Sequence, residues 1–388
     1  MDRSDPPTGG PPVADIESVF DVYEVRRDGE TLLYVGRPLA SARTVERELW
    51  PLFRDCGYEL SLEQGYDGST ATETGSGTPL TAGEYVLVAR PQSVGIDGIP
   101  WTNVVLLVVT ILSTLLVGAT QWYGIPLSAG PLAMLEAWPF VAAVLGVLGI
   151  HELGHYVVSR YYDVDATLPY FIPFPSLIGS MGAVIRMKGR IPNRRALFDI
   201  GVAGPLAGLL ATVVVTAIGL QLDPLPAAEA AAESGGAAIR FNNPALLVLI
   251  GELTGTSAKV AGESPVHPVV FGGWVGMFVT FLNLLPVGQL DGGHIVRAIA
   301  GERQETLAAA VPGALFALAG YLYFVRGTDE SIGIWVLWGV FALGLAYAGP
   351  ADPIYDEPLG RGRIGLGIVT LVLGLLCFTP VPIEVVGV

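Results

Sequence analysis

Lysine, histidine and cysteine are all scarce in this 388-residue chain. Its two cysteines, Cys56 and Cys377, supply neither a disulfide framework nor a thiolate metal site. Lysine occurs only at Lys188 and Lys259, so every other fixed cation is an arginine. Charged residues make up 15% of the chain against 51% apolar ones, which excludes an ordinary water-soluble enzyme. The formal net charge is −15, so the chain repels phosphate backbones and nucleic-acid binding is not expected. Residues 1–100 hold 17 Asp and Glu against 8 Arg, so more than half of the net negative charge sits on the first quarter of the sequence. With so little lysine, this acidity fits a protein of a salt-rich, halophilic cytosol.

What the chain has in plenty is long apolar runs, several approaching the ~20 residues that span a bilayer. All lie after about residue 100, which divides the chain into a soluble head and a membrane body. Residues 1–12 are polar and rich in Pro and Gly, unlike a cleavable leader, so the head is expected in the cytosol. The expected layout is a disordered tail over 1–13, an α+β domain over 14–92, a linker over 93–100 and a membrane-embedded body over 101–388. In the head, Phe20–Glu24, Thr31–Gly36, Tyr58–Gln64 and Glu84–Arg90 alternate like strands, and Ser41 caps a helix from Ala42 to Cys56.

In the body, Trp101–Trp122, Leu132–Tyr161, Ala196–Leu220, Pro268–Leu285, Leu307–Val325, Ile332–Ala348 and Ile364–Phe378 read as spans. Trp101, Trp122 and Tyr123 flank the first like interfacial anchors. Leu168–Gly189 is broken by Pro169, Pro173 and Pro175 and reads instead as a re-entrant extended hairpin. Pro244–Gly255 is apolar, but twelve residues give about 18 Å of helix, too short to cross. The fold class expected is therefore a multi-pass α-helical membrane protein, about seven spans plus a re-entrant hairpin, with a small N-terminal α+β soluble domain. The basic cluster Arg186, Lys188, Arg190, Arg194 and Arg195 belongs on the cytosolic side, which also puts the metal-site opening there.

Of the four histidines, two stand in His151-Glu152-Leu153-Gly154-His155, inside an apolar run. Residues four apart share a helix face, so both imidazoles can grip one zinc ion while Glu152 takes a proton from its water. Ionisable groups among apolar neighbours are expensive to keep without a function. Catalytic zinc usually takes three protein donors, so a third must return to the same depth. Asp291, in Leu290-Asp291-Gly292-Gly293 after an apolar run, is the best candidate; its other reading is a helix cap. His294 is a spare ligand or a neighbour of the site. Asn283 can bind a substrate carbonyl or a neighbouring helix. The small residues of Gly201-Val202-Ala203-Gly204-Pro205-Leu206-Ala207-Gly208 permit close helix contact, and Asp199 supports the site or caps.

These motifs together, with Phe198-Asp199-Ile200-Gly201 and Asn283-Leu284-Leu285-Pro286, resemble the site-2 protease family of intramembrane zinc peptidases. Tyr170-Phe171-Ile172-Pro173 and Gly179-Ser180-Met181-Gly182 are most similar to its branch with chloroplast members. The resemblance implies that His151, His155 and Asp291 hold Zn2+ and that Glu152 is the general base. It also implies that Asn283 and the stretch containing Gly179, Ser180 and Gly182 bind substrate. Many family members carry Asn-Pro-Asp-Gly where Asn283 and Asp291 stand eight apart here. The expected activity is cleavage of transmembrane protein substrates within the lipid bilayer of the cell membrane. A metal transporter would spread ionisable groups along several spans, and an inactive scaffold would lack Glu152 or a ligand. The sequence leaves the substrate and the oligomeric state open.

Overall fold

The computed structural model describes residues 9–64, 85–92, 98–187, 189–226, 238–262, 265–328 and 331–386. The chain divides into two compact units, residues 1–95 with 353–356, and residues 96–352 with 357–388. The Gly/Ser/Thr-rich loop over 65–83 and most of the linker and tail lie outside the described residues.

In the first unit, a short turn of helix α1 (Val13–Ile16) precedes the hairpin of β1 (Phe20–Asp28) and β2 (Thr31–Pro38). Helix α2 (Ala42–Asp55), β3 (Tyr58–Gln64) and β4 (Tyr85–Pro91) follow, and the antiparallel sheet runs β1-β2-β4-β3. Ser41 caps α2 by accepting from the Thr44 N–H at 3.3 Å. Val45, Leu49 and Phe53, spaced four apart, form its buried stripe, and Phe53 meets Tyr34 edge-on at 5.3 Å. Pro51 lies inside α2 and has no N–H to give the Arg47 carbonyl. The Tyr355 hydroxyl fills that vacancy at 3.2 Å.

The second unit is built of apolar helices. Helix α3 (Trp101–Val117) ends in a π turn, Gly118–Trp122. A short α4 (Pro131–Met134) leads to α5 (Trp138–Tyr161), the hairpin of β5 (Tyr170–Pro173) and β6 (Ser180–Val184), and α6 (Arg194–Gln221). After β7 (Ala238–Phe241) come α7 (Ala245–Leu253), α8 (Ser257–Val260), α9 (Val269–Asn283) and α10 (Asp291–Ala300). Helices α11 (Arg303–Tyr321), α12 (Ile332–Ala348) and α13 (Arg361–Leu376) precede β8 (Ile383–Val386), which pairs antiparallel with β7.

Four helical stretches among the described residues are long and apolar enough to cross a bilayer: Trp101–Trp122, Pro131–Tyr161, Arg194–Gln221 and Arg303–Arg326. Val269–Asn283 and Ile332–Ala348 are apolar but shorter, and the nine residues of α7 make only about 14 Å of helix. Large apolar side chains such as Leu112, Leu210, Leu337 and Val340 point outward, the surface of a protein solvated by lipid. The core joins Phe140, Val144 and Leu148 of α5 to Leu209 of α6 and Trp274 and Met277 of α9. Trp122 differs from the expected interfacial anchor. It stacks on Phe271 at 4.1 Å and donates its indole N–H to the Leu177 carbonyl at 2.9 Å, tying α3 to the hairpin. Helices α5 and α6 pack closely at Gly154, where a Cβ would lie 2.6 Å from the Ala203 carbonyl oxygen.

Candidate metal centre

His151 and His155 are one turn apart on α5 and buried, their Nε2 atoms 3.3 Å apart. Asp291 opens α10, but its carboxylate does not cap that helix. It turns instead onto the imidazoles, with Oδ2 3.2 Å from His151 Nε2 and Oδ1 3.2 Å from His155 Nε2. The three donor groups all lie within 4.8 Å of one another.

The residues fit a zinc ion on their own geometry. Ligands about 2.0–2.1 Å from a tetrahedral centre stand roughly 3.3 Å from each other. Two imidazoles and one carboxylate also make the donor set of catalytic zinc, three protein ligands with a place left over. His155 Nδ1 lies 2.8 Å from the Ile200 carbonyl oxygen, which can only accept, so the proton sits on Nδ1 and the Nε2 lone pair faces the centre. The Asn283 amide nitrogen is 3.2 Å from His151 Nε2, so this residue touches a donor imidazole directly.

Glu152 is nearly buried, and its Oε2 accepts the Ile185 N–H at 3.0 Å. Ile185 follows β6, so the hairpin fixes the carboxylate. A cavity of about 200 Å3 joins Glu152 and the three donors to Ala183, Ile185, Asn283 and His294. Gly179, Ser180 and Gly182 are not among its lining residues. Gly179 lies against α3, where a Cβ would meet the Ser113 carbonyl at 2.6 Å. The Ser180 hydroxyl donates to the Ile172 carbonyl at 3.1 Å, inside the hairpin. Of the stretch singled out in the sequence, the end after Gly182 reaches the cavity.

Asp199 apart, which the sequence marks as a support or a cap, the supporting residues were not legible as such. A Cβ on Gly204 would overlap the His155 ring, and one on Gly208 would lie 2.8 Å from His151 Nδ1. The small-residue stripe of α6 therefore seats the two imidazoles as well as packing helices. Arg363 of α13 grips Asp199 with two 2.8 Å hydrogen bonds, and the Tyr162 hydroxyl donates to Asp199 at 2.6 Å. Asp199 precedes Ile200, so this clamp steadies the carbonyl that holds His155.

Residues 139–324 match the model of Peptidase family M50. The probable zinc metalloprotease EGY1, chloroplastic, of Arabidopsis thaliana is 34% identical over 273 residues, 67% of this chain and 47% of its own length. The probable zinc metalloprotease EGY2, chloroplastic, of the same plant is 30% identical over 62% of this chain and 41% of its own. The chain thus spans less than half the length of these relatives. The matched segment holds both histidines, Glu152 and Asp291, and residues 139–324 are accordingly a peptidase family M50 domain, the domain of the site-2 proteases.

Proposed function

We propose that the chain is an intramembrane zinc endopeptidase that hydrolyses peptide bonds within or beside transmembrane helices of other proteins. One observation carries the reading: Glu152 and a converging His151–His155–Asp291 set, all buried side chains, line one cavity in a unit built on helices of membrane length.

His151, His155 and Asp291 would hold a zinc ion, which would supply Lewis acidity toward a carbonyl and lower the pKa of water to near neutrality. Glu152 accepts the proton of the attacking water as its oxygen bonds to the carbonyl carbon. The same carboxylate returns that proton to the amine nitrogen as the C–N bond breaks. The Ile185 N–H keeps one carboxylate oxygen pointed into the cavity throughout. A helical substrate hides its peptide bonds in i→i−4 hydrogen bonds and must unwind before attack. The hairpin stretch through Gly179, Ser180 and Gly182 pairs with the unwound segment through the second edge of β6, replacing the lost bonds. Asn283 orients the substrate chain beside His151.

The protein sits in the cell membrane with seven spans, its N-terminal unit and site opening on the cytosolic side. Comparing soluble fragments from cells making wild-type or Glu152→Gln chain tests the activity in place. Fragments of membrane proteins released only by the wild type are expected. Identical fragment sets would contradict it.

A further inference from the structure

His294 follows Asp291 by three residues on α10, so the helix carries both toward the same cavity. It is 3% exposed, and its Nε2 is sealed from solvent with no hydrogen-bond partner among the described residues, whereas Nδ1 is not sealed in this way. A neutral imidazole owns one donor and one acceptor, and buried polar groups normally find partners. The fold nevertheless makes room for this ring: a Cβ on Gly201 would lie 2.9 Å from the His294 Cβ. Its nitrogens stand outside the donor cluster of His151, His155 and Asp291. Of the other neutral side chains that could donate into the cavity, Asn283 is turned onto His151 and Gln289 is exposed.

Peptide hydrolysis builds negative charge on the carbonyl oxygen as water adds, and a fixed donor aimed at that oxygen lowers the barrier. Glu152 and Asp291 are carboxylates and repel such charge. We propose that His294 is a further catalytic residue that donates from Nδ1, the ring nitrogen that is not sealed off, to the oxygen of the scissile carbonyl and holds it most tightly when it is anionic. Its proton stays on the ring throughout. This assignment rests on the peptidase reading.

The test uses the full-length, zinc-loaded wild type, His294→Leu and His294→Gln, with a fluorogenic apolar peptide as substrate and a phosphonamidate peptide as tetrahedral mimic. The expected result is full zinc content in all three and a kcat lower by about 10²–10³-fold in His294→Leu, with KM nearly unchanged. The phosphonamidate should bind that variant more weakly by a similar factor. His294→Gln, which keeps an N–H donor, should recover roughly tenfold of the loss in kcat. Loss of zinc from His294→Leu would make His294 a ligand and overturn the assignment. So would a wild-type kcat in His294→Leu, or equal defects in the Leu and Gln variants. A zinc-loaded wild type that neither cuts the peptide nor binds the phosphonamidate removes the peptidase reading, and this assignment with it.

Discussion

The Nδ1–H of His155 points at the Ile200 carbonyl oxygen, 2.8 Å away, and this one bond decides which face of the imidazole meets a metal. The carbonyl belongs to α6, the helix whose Gly204 and Gly208 leave space for the two rings. Adding a methyl group there should displace the imidazoles without touching their chemistry. Gly204→Ala is expected to weaken zinc binding by about 10–100-fold, and Gly208→Ala less, because its clash is with a ring edge that can tilt. Zinc titration of the purified variants against a competing chelator measures this. Wild-type affinity in Gly204→Ala would refute the seating role.

Asp291→Ala should lose zinc as well as activity, since two imidazoles alone hold the ion weakly. Elemental analysis of the purified variant reads the occupancy directly. Full occupancy would point to a different third donor.

The Tyr162–Asp199–Arg363 clamp should stabilise the fold through charge-assisted hydrogen bonds, each worth about 1.5–3 kcal/mol when buried and less here, where the groups are part-exposed. Asp199→Asn should lower the unfolding temperature more than Tyr162→Phe. The double variant Asp199→Asn/Arg363→Ala should lose less than the sum of the single losses. Strict additivity would mean the two groups do not interact.

His267 lies just before α9, and its Nδ1 accepts the Val269 N–H at 3.2 Å. Burial pushes its pKa below the ordinary imidazole value. The unfolded chain therefore protonates first as pH falls. The stability this residue lends is complete above about pH 6.5 and drains away below it, toward the depressed folded value. Between pH 7 and pH 5 the wild type should lose more thermal stability than His267→Asn, whose amide oxygen can still accept from Val269. Equal losses would contradict the assignment.

Much of this architecture is written locally. The alternation of Tyr58–Gln64 gives β3 with those bounds, and the prolines of Leu168–Gly189 force a hairpin where apolarity alone suggests a span. The His-Glu-x-x-His spacing places two imidazoles on one face before any tertiary contact is known. Asp291 is a candidate because zinc chemistry asks for a third donor and because it stands in Leu290-Asp291-Gly292-Gly293 after an apolar run. What stayed hidden depends on partners distant in sequence. Nothing near Asp199 marks Arg363, 164 residues on, as its partner. Glycines on α6 look the same whether they face a bare helix or an imidazole. Trp122 at a helix end looks like an interfacial anchor until Phe271 is found beneath it. Likewise α9 and α12, at 15 and 17 residues, are apolar throughout but too short for length alone to settle a span count.

The topology has its own test. With Cys56 and Cys377 replaced, Arg190→Cys should react with an impermeant thiol reagent from the cytosolic side and Asp223→Cys from the opposite side. Reaction of both from one side would mean that Arg194–Gln221 does not cross.

The central claim is that this zinc site cuts a peptide bond with Glu152 as its base. The direct measurement incubates the purified full-length chain with a synthetic transmembrane-helix peptide in bilayers and sequences the products by mass spectrometry. Wild-type chain should cut within or beside the apolar segment, and Glu152→Gln, with undiminished zinc content, should be slower by about 10²–10⁴-fold. Cleavage by Glu152→Gln at the wild-type rate, or none by a fully zinc-loaded wild type on any such helix, would contradict the account.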